Sequence, residues 1–122
     1  MNNKTILIIE DDVLNMKLLR SILRLKNFAV LEAENAEIGI HLARKHKPDM
    51  ILMDIQLPGI DGVEATKLIL NDGELENTPI IAISSLAMES DKDYALSAGV
   101  KEYITKPINK KNLINTIQKY LS

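Results

Sequence analysis

Short runs of consecutive apolar residues alternate along the chain with longer stretches whose apolar positions recur at helical spacing. Residues 6–9, 50–53 and 80–83 are the clearest runs, each uninterrupted by a polar side chain. Residues 28–31 form a weaker run, and Tyr103 with Ile104 a very short one. These predict five strands. Between the first two, residues 13–26 carry Leu18, Leu19, Ile22 and Leu23, one expected helical stripe. Ala36–His46 reads as a second helix, with Asn35 as its cap and Ile38, Leu42 and Ala43 facing inward. Pro48 then forces a boundary. A turn signal at residues 57–62 opens a helix over about 63–70, and Pro79 closes the polar loop 71–78. Residues 87–98 predict a less regular helix ended by Gly99, and residues 110–121 the last one.

Strand and helix therefore alternate from end to end. Strands apolar on consecutive residues are buried on both faces, which implies a parallel sheet covered by helices on each side. A chain of 122 residues fits one domain over residues 1–122. No repeat or linker interrupts it. In an open sheet of this kind, ligands bind beyond the carboxyl ends of the strands, where strand order reverses. Composition narrows the classes. The net charge of −2 offers no basic stripe for nucleic acid, and the absence of cysteine excludes disulfides and thiol chemistry. His41 and His46 are too few for a histidine-rich metal site. No apolar run has a membrane span's length, and residues 5–9 are too short for a signal peptide, so a cytoplasmic protein is expected.

Chemistry gathers at the strand ends. Glu10, Asp11 and Asp12 follow the first strand, Asp54 the third, Ser84 the fourth and Lys106 the fifth. Neighbouring strands lie ~4.8 Å apart, so the acids of the first and third are close. At ~5 Å and an effective dielectric of ~20, each like-charged pair costs about 3 kcal/mol. Such a cluster calls for a cation, and Mg²⁺ suits an all-oxygen site. Glu10, Asp11 and Asp54 then balance Mg²⁺ and Lys106, leaving a neutral site able to receive a phosphoryl group. A carboxylate nucleophile is already ionised at neutral pH, so no general base is required. Asp12, one place beyond the pair, is expected at the rim.

These residues, taken together, resemble the bacterial two-component response-regulator receiver domain. The matching words are Ile8-Ile9-Glu10-Asp11, Leu52-Met53-Asp54-Ile55-Gln56-Leu57-Pro58, Asp61-Gly62, Ile83-Ser84 and Lys106-Pro107. The resemblance implies a flavodoxin-like α/β fold, (βα)5, with strand order 2-1-3-4-5. It implies phosphorylation of Asp54 by a histidine kinase or histidine phosphotransfer protein, without turnover on an external substrate. It implies Mg²⁺ held by Asp11, Asp54 and the Gln56 carbonyl, with Glu10 acting through water. It implies a cis Lys106–Pro107 bond, and a switch in which Ser84 moves to the phosphoryl group and Tyr103 turns inward. That movement would reshape the face of the fourth helix, last strand and last helix for a downstream protein. Ser85, where members more often carry alanine, either alters how the loop moves or does nothing, and the second is the expectation.

The wording around Leu14-Asn15-Met16-Lys17-Leu18 resembles stand-alone regulators of the DivK type, which have no DNA-binding domain. Leu14 is either the edge of the core stripe or a docking contact for the donor's helix. Asn15, Leu18 and Pro107 are further expected docking residues. Three alternatives keep part of this picture. A flavodoxin-like flavin or nucleotide module lacks its Gly-rich phosphate loop here, because carboxylates stand after the first strand. A haloacid-dehalogenase-type phosphohydrolase wants a second Asp where this chain has Gln56. A receiver used only for docking, never phosphorylated, would have no need of the acids and Lys106.

Overall fold

The computed structural model describes residues 3–121. Its elements run β1 (Thr5–Ile9), α1 (Val13–Leu25), β2 (Ala29–Ala33), α2 (Ala36–His46), β3 (Met50–Asp54), α3 (Gly62–Leu70), β4 (Ile80–Ser84), α4 (Glu89–Ala98), β5 (Glu102–Thr105) and α5 (Lys110–Leu121). All neighbouring strands pair in parallel, in the order β2-β1-β3-β4-β5. This is the expected flavodoxin-like arrangement.

Alternation along the strands builds two cores. Leu7, Ile9, Ile51 and Met53 face α2, α3 and α4, where Ala36, Ile40, Val63, Ile69 and Ala95 meet them. Ile6, Ile8, Met50 and Leu52 face the other way, against Met16, Leu19, Ile22 and Leu23 of α1 and Leu113 and Ile117 of α5. Both faces of β3 and β4 are buried throughout, which is why their sequences show no polar alternation.

Two inward-facing assignments fail. Leu18 is 43% exposed, and Met16 completes the α1 stripe instead. Ile38 is 40% exposed, while Gly39 and Ile40 face the sheet. Gly39 is selected by closeness, since a Cβ there would collide with the Ile9 side chain. The second strand begins one residue later and ends two later than its apolar run, because pairing with β1 extends it to Ala33. Helix α4 starts at Glu89 rather than at residue 87. Asn35 caps α2 as expected, accepting from the Ile38 N–H at 2.9 Å.

Candidate functional site

The strand order reverses between β1 and β3, and this edge holds the acids. Ile9 pairs with Met53, so Glu10 and Asp54 are the next residues outward on adjacent strands. Glu10 and Asp54 are buried, whereas Asp11 is exposed. One carboxylate oxygen from each of the three lies within 4.8 Å of the others. A cleft of about 380 Å³ opens beside Glu10 and Asp11, with Val13 and Ile38 on its walls. Gly62 makes the back of the site possible. A Cβ there would strike the Asp54 carbonyl oxygen and the Ile55 Cα, so only glycine lets α3 begin this close.

Lys106 arrives from the loop after β5. Its backbone N–H donates to the Ser84 carbonyl at 2.8 Å, and the Lys106–Pro107 peptide is cis. The ammonium lies 3.2 Å from Glu10 Oε1 and 3.3 Å from Asp54 Oδ2. Burial alone would lower the Lys106 pKa, but the Asp54 and Glu10 carboxylates outweigh it and hold the amine above its ordinary value. Glu10 is pushed up to about 7, first by burial and then by its hydrogen bond with Asp54. Its Oε2 accepts from the Asp12 N–H at 3.1 Å, while the buried Oε1 accepts no hydrogen bond despite the nearby ammonium. Asp54 Oδ1 accepts from the Gln56 N–H at 2.9 Å. A crowded, under-satisfied all-oxygen set with one partner exposed fits a hard divalent cation that keeps some of its waters.

Ser84 ends β4 with its side chain fully buried. Its hydroxyl donates to Gln56 Oε1 at 3.4 Å and accepts from the Leu86 N–H at 3.0 Å. Tyr103 is half-buried against the core, and its hydroxyl donates to the Leu86 carbonyl at 2.7 Å. Ser85 contacts the loop after β3. Its hydroxyl donates to Gln56 Oε1 at 2.5 Å and its N–H to the same oxygen at 3.2 Å. Contact between two loops at this distance along the chain leaves no periodic signal in the sequence.

Asp12 sits at the rim, as expected, with a function the sequence reading missed. It caps α1, its Oδ1 accepting from the Leu14 and Asn15 N–H groups at 2.8 and 3.2 Å. Asp61 does the same for α3, accepting from the Glu64 N–H at 2.9 Å. Both acids precede a helix, the position where a carboxylate satisfies unpaired N–H groups. Leu14 is 77% exposed, which removes it from the core, and Leu18 and Pro107 are exposed too. Asn15 is half-buried.

Comparison with known proteins agrees with this geometry. The chain is 42% identical over 118 residues to the polar-differentiation response regulator DivK of Brucella anthropi, covering 97% of this chain and 96% of that one. The receiver domain of sensor histidine kinase PA1611 from Pseudomonas aeruginosa PAO1 superposes with a TM-score of 0.91 at 29% identity, covering 98% of each chain; it holds a magnesium ion in its active site cleft. A response regulator structure from Chloroflexus aurantiacus gives a TM-score of 0.94 at 28% identity, again over 98% of each chain. Residues 6–118 match the response regulator receiver domain. With a family match over almost all of its length, this chain belongs to the response regulator receiver domain family.

Proposed function

We propose that Asp54 is the phosphoacceptor, taking a phosphoryl group from a phosphohistidine on a histidine kinase or histidine phosphotransfer protein. The observation that carries it is a buried carboxylate beside two other acids and 3.3 Å from an ammonium. An Asp54 oxygen forms the new P–O bond as the P–N bond to the donor's imidazole breaks, and the imidazole leaves with that electron pair. The Gln56 N–H on Oδ1 fixes the carboxylate plane. Lys106 stands where charge gathers on the transferring oxygens, the position such catalysis demands. Ser84 supplies a hydroxyl from the neighbouring strand end. Asp11, Asp54 and the Gln56 carbonyl would hold Mg²⁺, with Glu10 behind them, and that ion would neutralise phosphoryl charge.

Movement of Ser84 toward the phosphoryl group pulls on Leu86, whose carbonyl Tyr103 holds, so the switch reaches Tyr103 through that residue. Met88 at the start of α4 and Leu96 within it are 71% and 46% exposed, and the α4–β5–α5 face is the surface proposed for a downstream protein. The chain acts as one cytoplasmic signalling domain without turnover on an external substrate, and its targets are proteins rather than nucleic acid or membrane. Among the described residues no helix is long and apolar enough to cross a membrane.

With Mg²⁺ and acetyl phosphate, intact mass should rise by one phosphoryl group in wild type and not in Asp54→Asn. Labelling of the variant would place the acceptor elsewhere. Leu14→Lys should slow transfer from the phosphohistidine protein at least tenfold, about 1.4 kcal/mol of a docking contact. The same variant should react with acetyl phosphate like wild type, because that small donor needs no docking surface. Equal losses in both reactions would remove Leu14 from the interface.

A further inference from the structure

We infer that the outer face of α1 and α5 is a docking surface for a partner protein's amphipathic helix, one whose apolar stripe is flanked by acidic side chains. Neither α1 nor α5 contains an acid, although the chain as a whole carries more acids than bases. Arg20 and Lys119 are paired with Glu32 and Glu102 of the sheet. Lys17, Arg24, Lys110 and Lys111 are exposed and have no ion pair among the described residues. Lys110 and Lys111 open the first turn of α5, where the helix dipole disfavours cations. Their own helix gives no electrostatic reason for them, and an anionic occupant of this face would.

Shape supplies the second observation. The two helices bury their inner faces in one core, and a cleft of about 370 Å³ opens between the end of α1 and α5. Lys26 lines it from the α1 side, and Lys110, Lys111, Ile114 and Asn115 from α5. Ile114 is half-buried against the core, so the cleft has an apolar component under its charged rim. Leu25, next to Lys26, is 67% exposed, and Leu18, one heptad earlier on the same face of α1, is 43% exposed. Leucines a heptad apart are the seam that another helix packs against, and cations beside such a seam select a partner with acids in the facing positions. A lipid surface would match the charge but is flat, and cannot enter a recessed cleft. Leu25 lies about 20 Å along α1 from Asp12, so a partner seated here leaves the mouth above Asp54 open.

A synthetic peptide of three heptads, with leucine at a and d and glutamate at e and g, probes this face on the whole chain by fluorescence anisotropy and NMR. Its glutamates keep it from pairing with itself. The peptide should bind the wild type and shift the Leu25, Lys111 and Ile114 resonances. Lys111→Glu and Leu25→Asn should each weaken it at least fivefold. Both positions are exposed, and a glutamate in the first turn of α5 suits the helix dipole. Both variants should therefore melt like wild type and take a phosphoryl group from acetyl phosphate like wild type. A peptide of the same composition in scrambled order should bind at least tenfold more weakly. No binding by the wild type, equal binding of the scrambled peptide, or full affinity in both variants would overturn the docking surface. Vesicles of phosphatidylcholine and phosphatidylserine that bind wild type but not Lys111→Glu would make this a lipid-binding face. A dimer of the free protein that Lys111→Glu dissolves would give it to a second copy, and either result overturns the partner helix.

Discussion

Replacing Glu10 with glutamine should stabilise the metal-free protein at pH 8 by on the order of 2 kcal/mol, while weakening Mg²⁺ binding by about 10- to 100-fold. The cause is a buried carboxyl that the fold would rather keep protonated. Its ordinary pKa of 4.5 rises to about 7 in the folded chain, through burial first and the hydrogen bond with Asp54 second. Between those two values the folded state binds more protons than the unfolded one, so stability falls as pH rises. Above pH 7 the whole penalty is in place, at most about 3.5 kcal/mol at ~1.4 kcal/mol per unit. Glutamine has the same shape, can accept from the Asp12 N–H and donate to Asp54, and never ionises. Part of the gain is lost because Lys106 keeps only one carboxylate partner. Chemical denaturation in EDTA should show the two proteins converging as pH falls toward 4.5 and the variant ahead at pH 8. Saturating Mg²⁺ should shrink the advantage or reverse it. A gap unchanged between those pH values would mean that Glu10 is already ionised without cost.

The same residue shows why so much of the site was legible in the sequence. Carboxylates directly after an uninterrupted apolar strand have no structural reason to be there, and the parallel topology fixes which strand ends are neighbours. Glu10, Asp11 and Asp54 follow from those two facts, and Lys106 from its place after the last strand. The buried strands were legible because Met50–Asp54 and Ile80–Ser84 are covered on both faces. The outer strand was less so. β2 is an edge strand with a mixed burial pattern, and its limits are set by β1 rather than by its own side chains. In α4 only Ala95 is fully buried, so helical spacing carries almost no signal there. Leu18 and Ile38 misled for the opposite reason: each is apolar and correctly spaced, yet a neighbouring residue takes the inward position. The Gln56–Ser85 contact depends on rotamers in two loops, and no pattern of residue types encodes it.

Those observations share one physical consequence. Repulsion among the strand-end acids is a cost of readiness, held down in the metal-free chain by one lysine. The fold tolerates it because β1, β3 and β4, packed on both faces, fix the backbone that presents the carboxylates. Electrostatic destabilisation and function are thus properties of the same atoms, and substitutions that relieve the first should impair the second.

Lys106→Met should act in the opposite sense to Glu10→Gln, costing the metal-free fold about 3–5 kcal/mol at pH 8. The methionine can occupy most of the lysine's apolar path, so packing is largely kept and the change is chiefly one of charge. Its ammonium lies 3.2 and 3.3 Å from Glu10 and Asp54, whose side chains are only 1% and 2% exposed. Removing it strands two buried carboxylates beside each other. The deficit should shrink as pH falls, because Glu10, released from the lysine that lowers its pKa, takes up a proton. Mg²⁺ should bind the variant more tightly, by about tenfold, since the site now presents one additional uncompensated negative charge to the ion. Beryllofluoride should bind it on the order of a hundredfold more weakly, because the donor facing the phosphoryl oxygens has gone. Calorimetric titration with each ligand separates the two effects. Tighter metal binding together with weaker phosphoryl-analogue binding requires the ammonium to face both the acids and the incoming group. A parallel loss of both would mean that Lys106 only props the site open, and a parallel gain would remove it from the phosphoryl pocket altogether.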